Sequence, residues 1–315
     1  KSYSRKRIVD NLTVERRGYF MANVVEVQEH FKMTDGFSLF YRCWRAGGEI
    51  ERVVVGIHSG GGHSGDFRVV GPQSASDGNQ VYAFDLRGFG NSLEKGLPRG
   101  DTRDFKRHLQ DIDDTIGCMK RKHPNKKVYV LGYSMGGCYA LWHAAHDPNS
   151  LDGLVLAAPA IIVRVLSTRK TAIQLFLANL FAPKGMLDSR KSSYSEGKDP
   201  EVLKLQLQDP LLSWELSHRY LANMRRILMD RAFENASHIQ KPTLILQGEA
   251  DVTALPEGAK RLYESLKAED KSIQTFPEAD HKFYDIFSSV PLRAKHDPAK
   301  TEHLFSVIRD WLKTH

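Results

Sequence analysis

The chain has 315 residues, of which 41% are hydrophobic and 26% are charged, the composition of a globular protein that can bury a full core. Its net charge is +7, but no basic stretch is interleaved with aromatic residues, and we therefore exclude nucleic acid as a partner. Three cysteines without a CxxC spacing are too few for a disulfide framework. Because no signal-peptide segment and no apolar run of membrane-spanning length is found, we expect a cytoplasmic protein.

The first 22 residues are predicted to form a basic extension ahead of the folded core. Six Lys or Arg residues precede Tyr19, against the two acidic residues Asp10 and Glu15. Such a segment packs as a short helix or stays loose. A second interpretation is contact with a membrane surface, although the segment has no convincing apolar face.

A glycine-rich loop follows the first buried strand of the predicted sheet. An antiparallel hairpin is predicted within residues 24–45, and a buried strand at Arg52–Ile57 leads into the loop His58–Gly65. Backbone N–H groups in such a loop bind anions. A phosphate loop would end in Gly-Lys-Ser/Thr, and a metal site at His58 and His63 would lack a third ligand at a usual spacing. We therefore interpret the loop as an oxyanion site.

The next elements continue an alternation of strand and helix. Gln80–Leu86 is predicted as a strand that ends in a loop with Asp85 and Arg87, two charges expected to brace the backbone. Asp101–Lys122 is predicted as an amphipathic helix, because its apolar residues recur on one face.

The central stretch of the chain is a predicted strand, a tight turn and a helix. Val128–Leu131 is an apolar run typical of a buried strand, and good helix formers follow as far as His146. Between them lies a G-x-S-x-G pattern centred on Ser134, with Gly132 and Gly136 two positions to either side. The glycines leave room for a strained turn that exposes the serine at the positive end of a helix dipole. The pattern predicts Ser134 as a nucleophile.

An insertion is predicted to interrupt the sheet after a buried strand at Leu151–Ala160. The strand–helix alternation predicts a parallel sheet with right-handed crossovers, and it breaks between residues 161 and 239. We therefore predict an α/β core of residues 23–160 and 240–315, with residues 161–239 as a helical cap.

Within this cap, the stretch Thr171–Phe181 is apolar on most faces. One interpretation is a core helix of the cap. The other is a wall that accepts an acyl chain through Leu175 and Leu177, or a lip that faces a membrane.

Two further strand ends supply the remaining candidates for chemistry. Asp251 follows a predicted strand at Pro242–Gln247, and His281 follows the last one at Lys271–Phe276. A serine hydroxyl is a poor nucleophile, so a histidine must take its proton while a carboxylate holds the imidazole tautomer. Ser134, Asp251 and His281 have the chain order of an α/β-hydrolase triad. The rival carboxylates are Glu249 and Asp280, and the expected oxyanion donors are the backbone N–H groups of Met135 and Gly60.

Several motifs together resemble the α/β-hydrolase superfamily, in its monoacylglycerol lipase and lysophospholipase group. The segments that carry the resemblance are GYSMGG (Gly132–Gly137), HSGGGHSG (His58–Gly65), DLRGFGNS (Asp85–Ser92), the QGEAD and ADH segments around the acid and base, and Asp209-Pro210-Leu211. The resemblance implies an α/β-hydrolase fold, with a mostly parallel eight-stranded sheet flanked by helices and an inserted helical cap. The chain departs from the group's patterns at Tyr133, which replaces a histidine, at Ser59, which replaces a glycine, and at Gly62, which replaces an acidic residue.

The sequence thus predicts a serine ester hydrolase that works through an acyl-enzyme, with no cofactor and no metal. Monoacylglycerol or a lysophospholipid is the expected substrate, and the cap or the extension is expected to make peripheral membrane contact. Predicted substrate contacts come from His58, which also braces its loop, and from Gly61, Tyr133, Leu175 and Leu177. Acyl transfer by the same triad and a catalytically silent lipid-binding module remain the alternatives, a peptidase is a weaker one, and no oligomeric state is predicted.

Overall fold

An eight-stranded sheet forms the centre of the computed structural model, which describes residues 23–190, 200–289 and 297–315. The extension predicted at residues 1–22 lies outside the described residues. The strands of this sheet are β1 (Val24–Lys32), β2 (Ser38–Ala46), β3 (Arg52–Ile57), β4 (Asn79–Phe84), β5 (Lys127–Tyr133), β6 (Gly153–Ala157), β9 (Thr243–Gly248) and β10 (Lys271–Phe276). A separate two-stranded sheet consists of β7 (Met186–Asp188) and β8 (Glu215–Ser217).

The strand order in the large sheet is β1-β2-β4-β3-β5-β6-β9-β10. Strand β2 pairs antiparallel with β1 and with β4, as the predicted hairpin requires, and the other neighbours are parallel. The predicted α/β fold with a mostly parallel eight-stranded sheet is therefore confirmed. Because β3, β5, β6, β9 and β10 run in one direction, their carboxyl ends meet at one edge of the sheet.

Helices cover both faces of the sheet. They are α1 (Val70–Ser76), α2 (Phe105–Lys122), α3 (Met135–His146), α4 (Arg169–Phe181), α5 (Pro200–Leu207), α6 (His218–Met224), α7 (Ala232–Ala236), α8 (Pro256–Ser265) and α9 (Pro298–Thr314). Alternate residues of each central strand point to opposite faces, so Val53 and Val55 pack with α2, α3 and α8, whereas Val54 packs with α1 and α9. The chain thus has a hydrophobic core on each side of the sheet.

The segment between β6 and β9, residues 161–239, is inserted between two strands that are neighbours in the sheet. It contains α4, β7, α5, β8, α6, a π-helix at Arg225–Met229 and α7. We call it the inserted segment. Its residues Leu175, Tyr220 and Leu228 belong to the same hydrophobic core as α2 and α3. The division of the chain into core and cap stays a prediction.

A partly buried ion pair joins the inserted segment to Asp101, the residue at which α2 was predicted to begin. Helix α2 begins at Phe105 and not at Asp101, because Asp104 caps it by accepting from the N–H of Lys106. Asp101 instead accepts two hydrogen bonds from the guanidinium of Arg219, at 2.7 and 2.6 Å, and one from the hydroxyl of Ser217.

In the ranges that the structure describes, no helix is both long and apolar enough to cross a membrane.

Candidate active site

Ser134 lies at the sharp turn between β5 and α3. Its backbone has φ 55° and ψ −116°, a region that non-glycine residues rarely adopt. The turn is tight, since a Cβ atom at Gly132 would lie 2.4 Å from the Gly136 carbonyl oxygen and one at Gly136 would lie 1.9 Å from that of Ile57. The glycines on either side of Ser134 are therefore required by close backbone contact. The hydroxyl stands at the amino end of α3.

The three residues predicted as a triad are brought together at the carboxyl edge of the sheet. His281 Nε2 lies 2.9 Å from Ser134 Oγ, and His281 Nδ1 lies 2.8 Å from Asp251 Oδ2. A carboxylate only accepts hydrogen bonds, so Nδ1 carries the ring proton and Nε2 faces the serine as a base. The imidazole side chain is only 13% exposed, and Ser134 is 7% exposed.

Asp251 is held firmly in the loop after β9. Its Oδ1 accepts hydrogen bonds from the backbone N–H groups of Thr253 and Ala254, at 2.8 and 2.9 Å, which leaves Oδ2 for His281. The rival carboxylates lie elsewhere: Glu249 accepts from the Thr275 hydroxyl, and Asp280 accepts from the N–H of Lys282. The geometry favours Asp251 over both.

Tyr133 supports the loop that carries His281. Burial raises the pKa of Tyr133 well above its ordinary value, so the phenol keeps its proton and donates to the His281 carbonyl oxygen at 3.2 Å. The ring stacks on Phe287 with 4.8 Å between the centroids. Tyr133 is thus placed beneath the histidine loop, and its predicted contact with substrate stays a prediction.

Two backbone N–H groups, those of Gly60 and Met135, lie in the two loops next to Ser134. Within the described ranges, neither Gly60 N–H nor Met135 N–H donates a hydrogen bond to another protein group. A Cβ atom at Gly60 would lie 3.5 Å from that of Met135, so the two loops are adjacent. These two donors are free for an oxyanion.

Each of the two donors is oriented through the carbonyl group of its own peptide unit. The Ser134 carbonyl accepts from Gly137 N–H and Ala160 N–H, each at 3.0 Å. In a planar trans peptide the N–H points opposite to the C=O, so these bonds fix the direction of Met135 N–H. On the other loop, the Ser59 carbonyl accepts from Gly62 N–H at 3.0 Å and from His58 Nδ1–H at 2.7 Å, which fixes the direction of Gly60 N–H.

His58 and the neighbouring loop brace the glycine-rich loop, as predicted. His58 is fully buried; burial lowers its pKa, and the neutral ring accepts the N–H of Leu86 at Nε2. Asp85 accepts hydrogen bonds from the N–H groups of Ser64 and Asn91, both at 2.7 Å. Both ring nitrogens of His58 are thus hydrogen-bonded to backbone groups. The direct contact of His58 with substrate stays a prediction.

The inserted segment contacts the glycine-rich loop at two points. Gly61, with φ 78°, accepts the N–H of Ser213 at 2.7 Å, and a Cβ atom there would lie 2.5 Å from the Ser213 carbonyl oxygen. His63 lies 3.0 Å from Asp209, whose pKa is held below its ordinary value by hydrogen bonds that outweigh its partial burial. Gly61 is thereby placed against the inserted segment.

Sequence reasoning missed Asp66, a buried carboxylate of the short 3₁₀ turn Ser64–Phe67. Its Oδ2 accepts the hydroxyl of Ser59 at 2.7 Å and the N–H of Ser59 at 3.1 Å. A Cβ atom at Gly62 would lie 2.4 Å from this oxygen and 2.5 Å from the serine hydroxyl. The departures at Ser59 and Gly62 therefore fit each other. An aspartate in a turn carries no sequence signal of this pairing.

The structure separates the two leucines predicted to line one acyl wall. Leu175 is 4% exposed and packs into the core, whereas Leu177 is 44% exposed on the opposite face of α4. The buried face of α4 therefore fits the interpretation as a core helix of the cap, and the acyl-wall or membrane-lip interpretation stays a prediction for the exposed face. Their contact with an acyl chain stays a prediction.

The arrangement can activate a hydroxyl and stabilise an oxyanion. A base lies against Ser134, a carboxylate orients that base, and two nearby backbone N–H groups have no acceptor among the described residues, which is the set of groups that acyl transfer requires.

Comparison with known proteins identifies the family of this chain. Residues 48–285 match the family model Hydrolase_4, described as "Serine aminopeptidase, S33". The human monoglyceride lipase is 27% identical over 284 residues, which cover 90% of this chain and 89% of that protein. The monoacylglycerol lipase of Mycolicibacterium smegmatis is 26% identical and covers 84% of this chain and 93% of that protein.

A solved structure has the same fold. The crystal structure of Paleococcus ferrophilus monoacylglycerol lipase superimposes with a TM-score of 0.70 at 27% identity, over 88% of this chain and 99% of that one. The predicted resemblance to monoacylglycerol lipases is confirmed, and the chain belongs to the Hydrolase_4 family of α/β-hydrolases.

Proposed function

We propose that the chain is a serine ester hydrolase that cleaves carboxylic esters with an apolar acyl chain. The observation that carries the proposal is His281, which lies between Ser134 Oγ at 2.9 Å and Asp251 Oδ2 at 2.8 Å. The family match and the lipase relatives support the same class of enzyme.

In the proposed reaction Ser134 Oγ attacks the ester carbonyl carbon while His281 Nε2 takes the hydroxyl proton. The carbonyl oxygen becomes an oxyanion, which accepts hydrogen bonds from Gly60 N–H and Met135 N–H. The bond to the alcohol oxygen then breaks, His281 returns its proton to the leaving alcohol, and an acyl-Ser134 ester remains. Water repeats these steps with the acyl carbon, which releases the carboxylic acid and restores the serine.

Monoacylglycerol is the favoured substrate, and lysophospholipid is the second candidate. The human monoglyceride lipase and the Mycolicibacterium smegmatis monoacylglycerol lipase match over 90% and 84% of this chain and support the first choice. The inserted segment, which contacts the glycine-rich loop through Ser213 and Asp209, would act as the cap over the acyl site.

We further propose that helix α4 of the cap contacts a lipid surface. Ile173, Phe176, Leu177, Leu180 and Phe181 are all exposed, and their spacing of three and four residues places them on one face of the helix. Between residues 161 and 187 the sequence has four Lys or Arg residues and no acidic residue. An exposed apolar face flanked by cations suits a membrane that contains anionic lipid.

Replacement of Phe176 and Phe181 by serine should weaken binding to lipid vesicles. These side chains are 64% and 79% exposed, so their loss leaves the core intact. Full burial of a phenylalanine contributes about 1.5–3 kcal/mol, so the double variant should lower the partition constant at least tenfold. Flotation with phosphatidylcholine vesicles, with and without phosphatidylserine, measures this constant.

The matched control replaces Val25 and Leu93 by serine, since both are exposed apolar residues outside α4. The control should bind vesicles as the unmodified chain does. Equal losses in the two double variants would show that α4 is not the contact surface.

The test of the proposed function combines covalent labelling with a series of esters. We expect a fluorophosphonate to label Ser134, and p-nitrophenyl esters from acetate to palmitate to show an optimum at a chain longer than acetate. Monooleoylglycerol and lysophosphatidylcholine, supplied in matched micelles, then compare the two headgroups. Labelling at Ser134 with turnover of aminoacyl p-nitroanilides but not of esters would replace the esterase with the aminopeptidase that the family description names. A folded chain with neither labelling nor turnover would contradict both.

A further inference from the structure

Ser59 and the peptide unit that joins it to Gly60 are held by hydrogen bonds from three residues. His58 and the N–H of Gly62 bind its carbonyl oxygen, as described above. The third contact is with the preceding atoms of Ser59, whose N–H and hydroxyl both donate to one oxygen of Asp66. Within the described ranges, the N–H of Gly60 donates to no protein group, and it points opposite to the carbonyl that these contacts hold.

The side chain of Asp66 is buried and held in place by the turn that carries it. Its residue is 5% exposed, and its own backbone N–H donates to the His63 carbonyl at 2.9 Å, which fixes the turn that carries it. A carboxylate that binds two donors of one residue restricts that residue more than a neutral acceptor would. Asp66 therefore limits rotation of Ser59 about the bonds that precede Gly60.

We propose that Asp66 is a positioning residue for the oxyanion hole. It acts through Ser59, holding the Ser59–Gly60 peptide so that Gly60 N–H points to the place where the oxyanion forms in front of Ser134. This inference rests on the proposed function. It assigns to the carboxylate no contact with the substrate and no transfer of a proton.

The orientation of a donor matters because oxyanion stabilisation depends on groups that are fixed before charge develops. Loss of a whole oxyanion donor typically costs about 10²–10³-fold in kcat. Misorientation of Gly60 N–H should therefore cost less than this limit, and the loss should fall on kcat because the donor binds the transition state more strongly than the ground state.

Replacement Asp66→Ala should lower kcat for p-nitrophenyl butyrate by about 10-fold, with KM changed less than about twofold. Asp66→Asn should retain most of the activity, since an amide oxygen still accepts both donors from Ser59. Ser134 adds to the carbonyl carbon of a trifluoromethyl ketone inhibitor, and the ketone oxygen becomes an oxyanion. The inhibition constant of this ketone should therefore rise in Asp66→Ala in proportion to the fall in kcat. A loss of stability alone would not produce this proportionality.

The matched control is Asp113→Ala, which removes a carboxylate paired with His143 away from the site. It should leave kcat and the inhibition constant unchanged. If Asp66→Ala does not fold, Ser59→Ala takes its place and should lower kcat about threefold at constant KM, because one of the two bonds to Asp66 is lost. Unchanged kcat in the folded variants, in an unmodified chain that hydrolyses esters, would overturn this inference alone. An unmodified chain that is neither labelled nor active would instead refute the proposed function.

Discussion

Replacement Ser134→Ala is expected to abolish ester hydrolysis, with kcat lowered by roughly 10⁴-fold or more. The hydroxyl that faces His281 Nε2 at 2.9 Å is the nucleophile of the proposed reaction, and no other hydroxyl binds this nitrogen in the described part of the chain. Steady-state turnover of p-nitrophenyl butyrate measures the loss, and mass spectrometry should find no fluorophosphonate on the variant. Thermal unfolding of the variant should stay close to that of the unmodified chain, since only one oxygen atom is removed.

The chain offers an unusual control for this experiment. Ser150 Oγ lies 2.6 Å from His143 Nε2, and His143 Nδ1 lies 2.5 Å from Asp113, so the same three residue types are joined in the same order. Ser150 donates to the Asp147 carbonyl oxygen and joins the end of α3 to the loop that follows. Ser150→Ala should keep full turnover. Retained activity in Ser134→Ala together with loss in Ser150→Ala would show that the wrong serine has been assigned.

Replacement Asp251→Asn should lower kcat by about 10⁴-fold while leaving the fold intact. The two backbone N–H groups of Thr253 and Ala254 require an acceptor at the Oδ1 position, so the asparagine oxygen will take it. The amide NH₂ group then faces His281 Nδ1, which can no longer donate. The ring proton moves to Nε2, and the base in front of Ser134 is lost.

Two carboxamide variants test the choice of acid. Glu249→Gln and Asp280→Asn change two carboxylates near the same strand ends. These carboxylates bind Thr275 and Lys282, respectively, and do not bind the imidazole of the triad. Each should retain kcat within about threefold, because neither touches the imidazole. A larger loss in either variant than in Asp251→Asn would transfer the acid's role to that residue.

The sequence predicted the sheet and the edge on which the site lies because both depend on local patterns. Apolar runs such as Arg52–Ile57 and Val128–Leu131 are long enough to identify buried strands, and parallel strands place their carboxyl ends together. The start of α2 was predicted four residues too early, since the use of Asp101 depends on Arg219, which is 118 residues away. Non-local pairing of this kind leaves no periodic signal.

The finer parts of the site were less predictable for the same reason. Phe283, Tyr284 and Asp285, just after His281, all have positive φ, although none is glycine. The buried side chains of Phe283 and Phe287 hold this turn, and no residue in the turn marks it in the sequence. The pairing of Asp66 with Ser59, seven positions apart, depends likewise on a turn whose shape is known only from the structure.

The close packing at Gly62 constrains the order in which this loop can change. A side chain at this position would require the Asp66 carboxylate and the Ser59 hydroxyl to move, so we expect the acidic residue of the group's pattern to be destabilising here as a single substitution. Gly62→Glu should be poorly tolerated by itself and better tolerated once Ser59→Gly and a smaller residue at position 66 are present. The three positions are therefore expected to be energetically coupled, so the effect of a change at one of them depends on the residues at the other two.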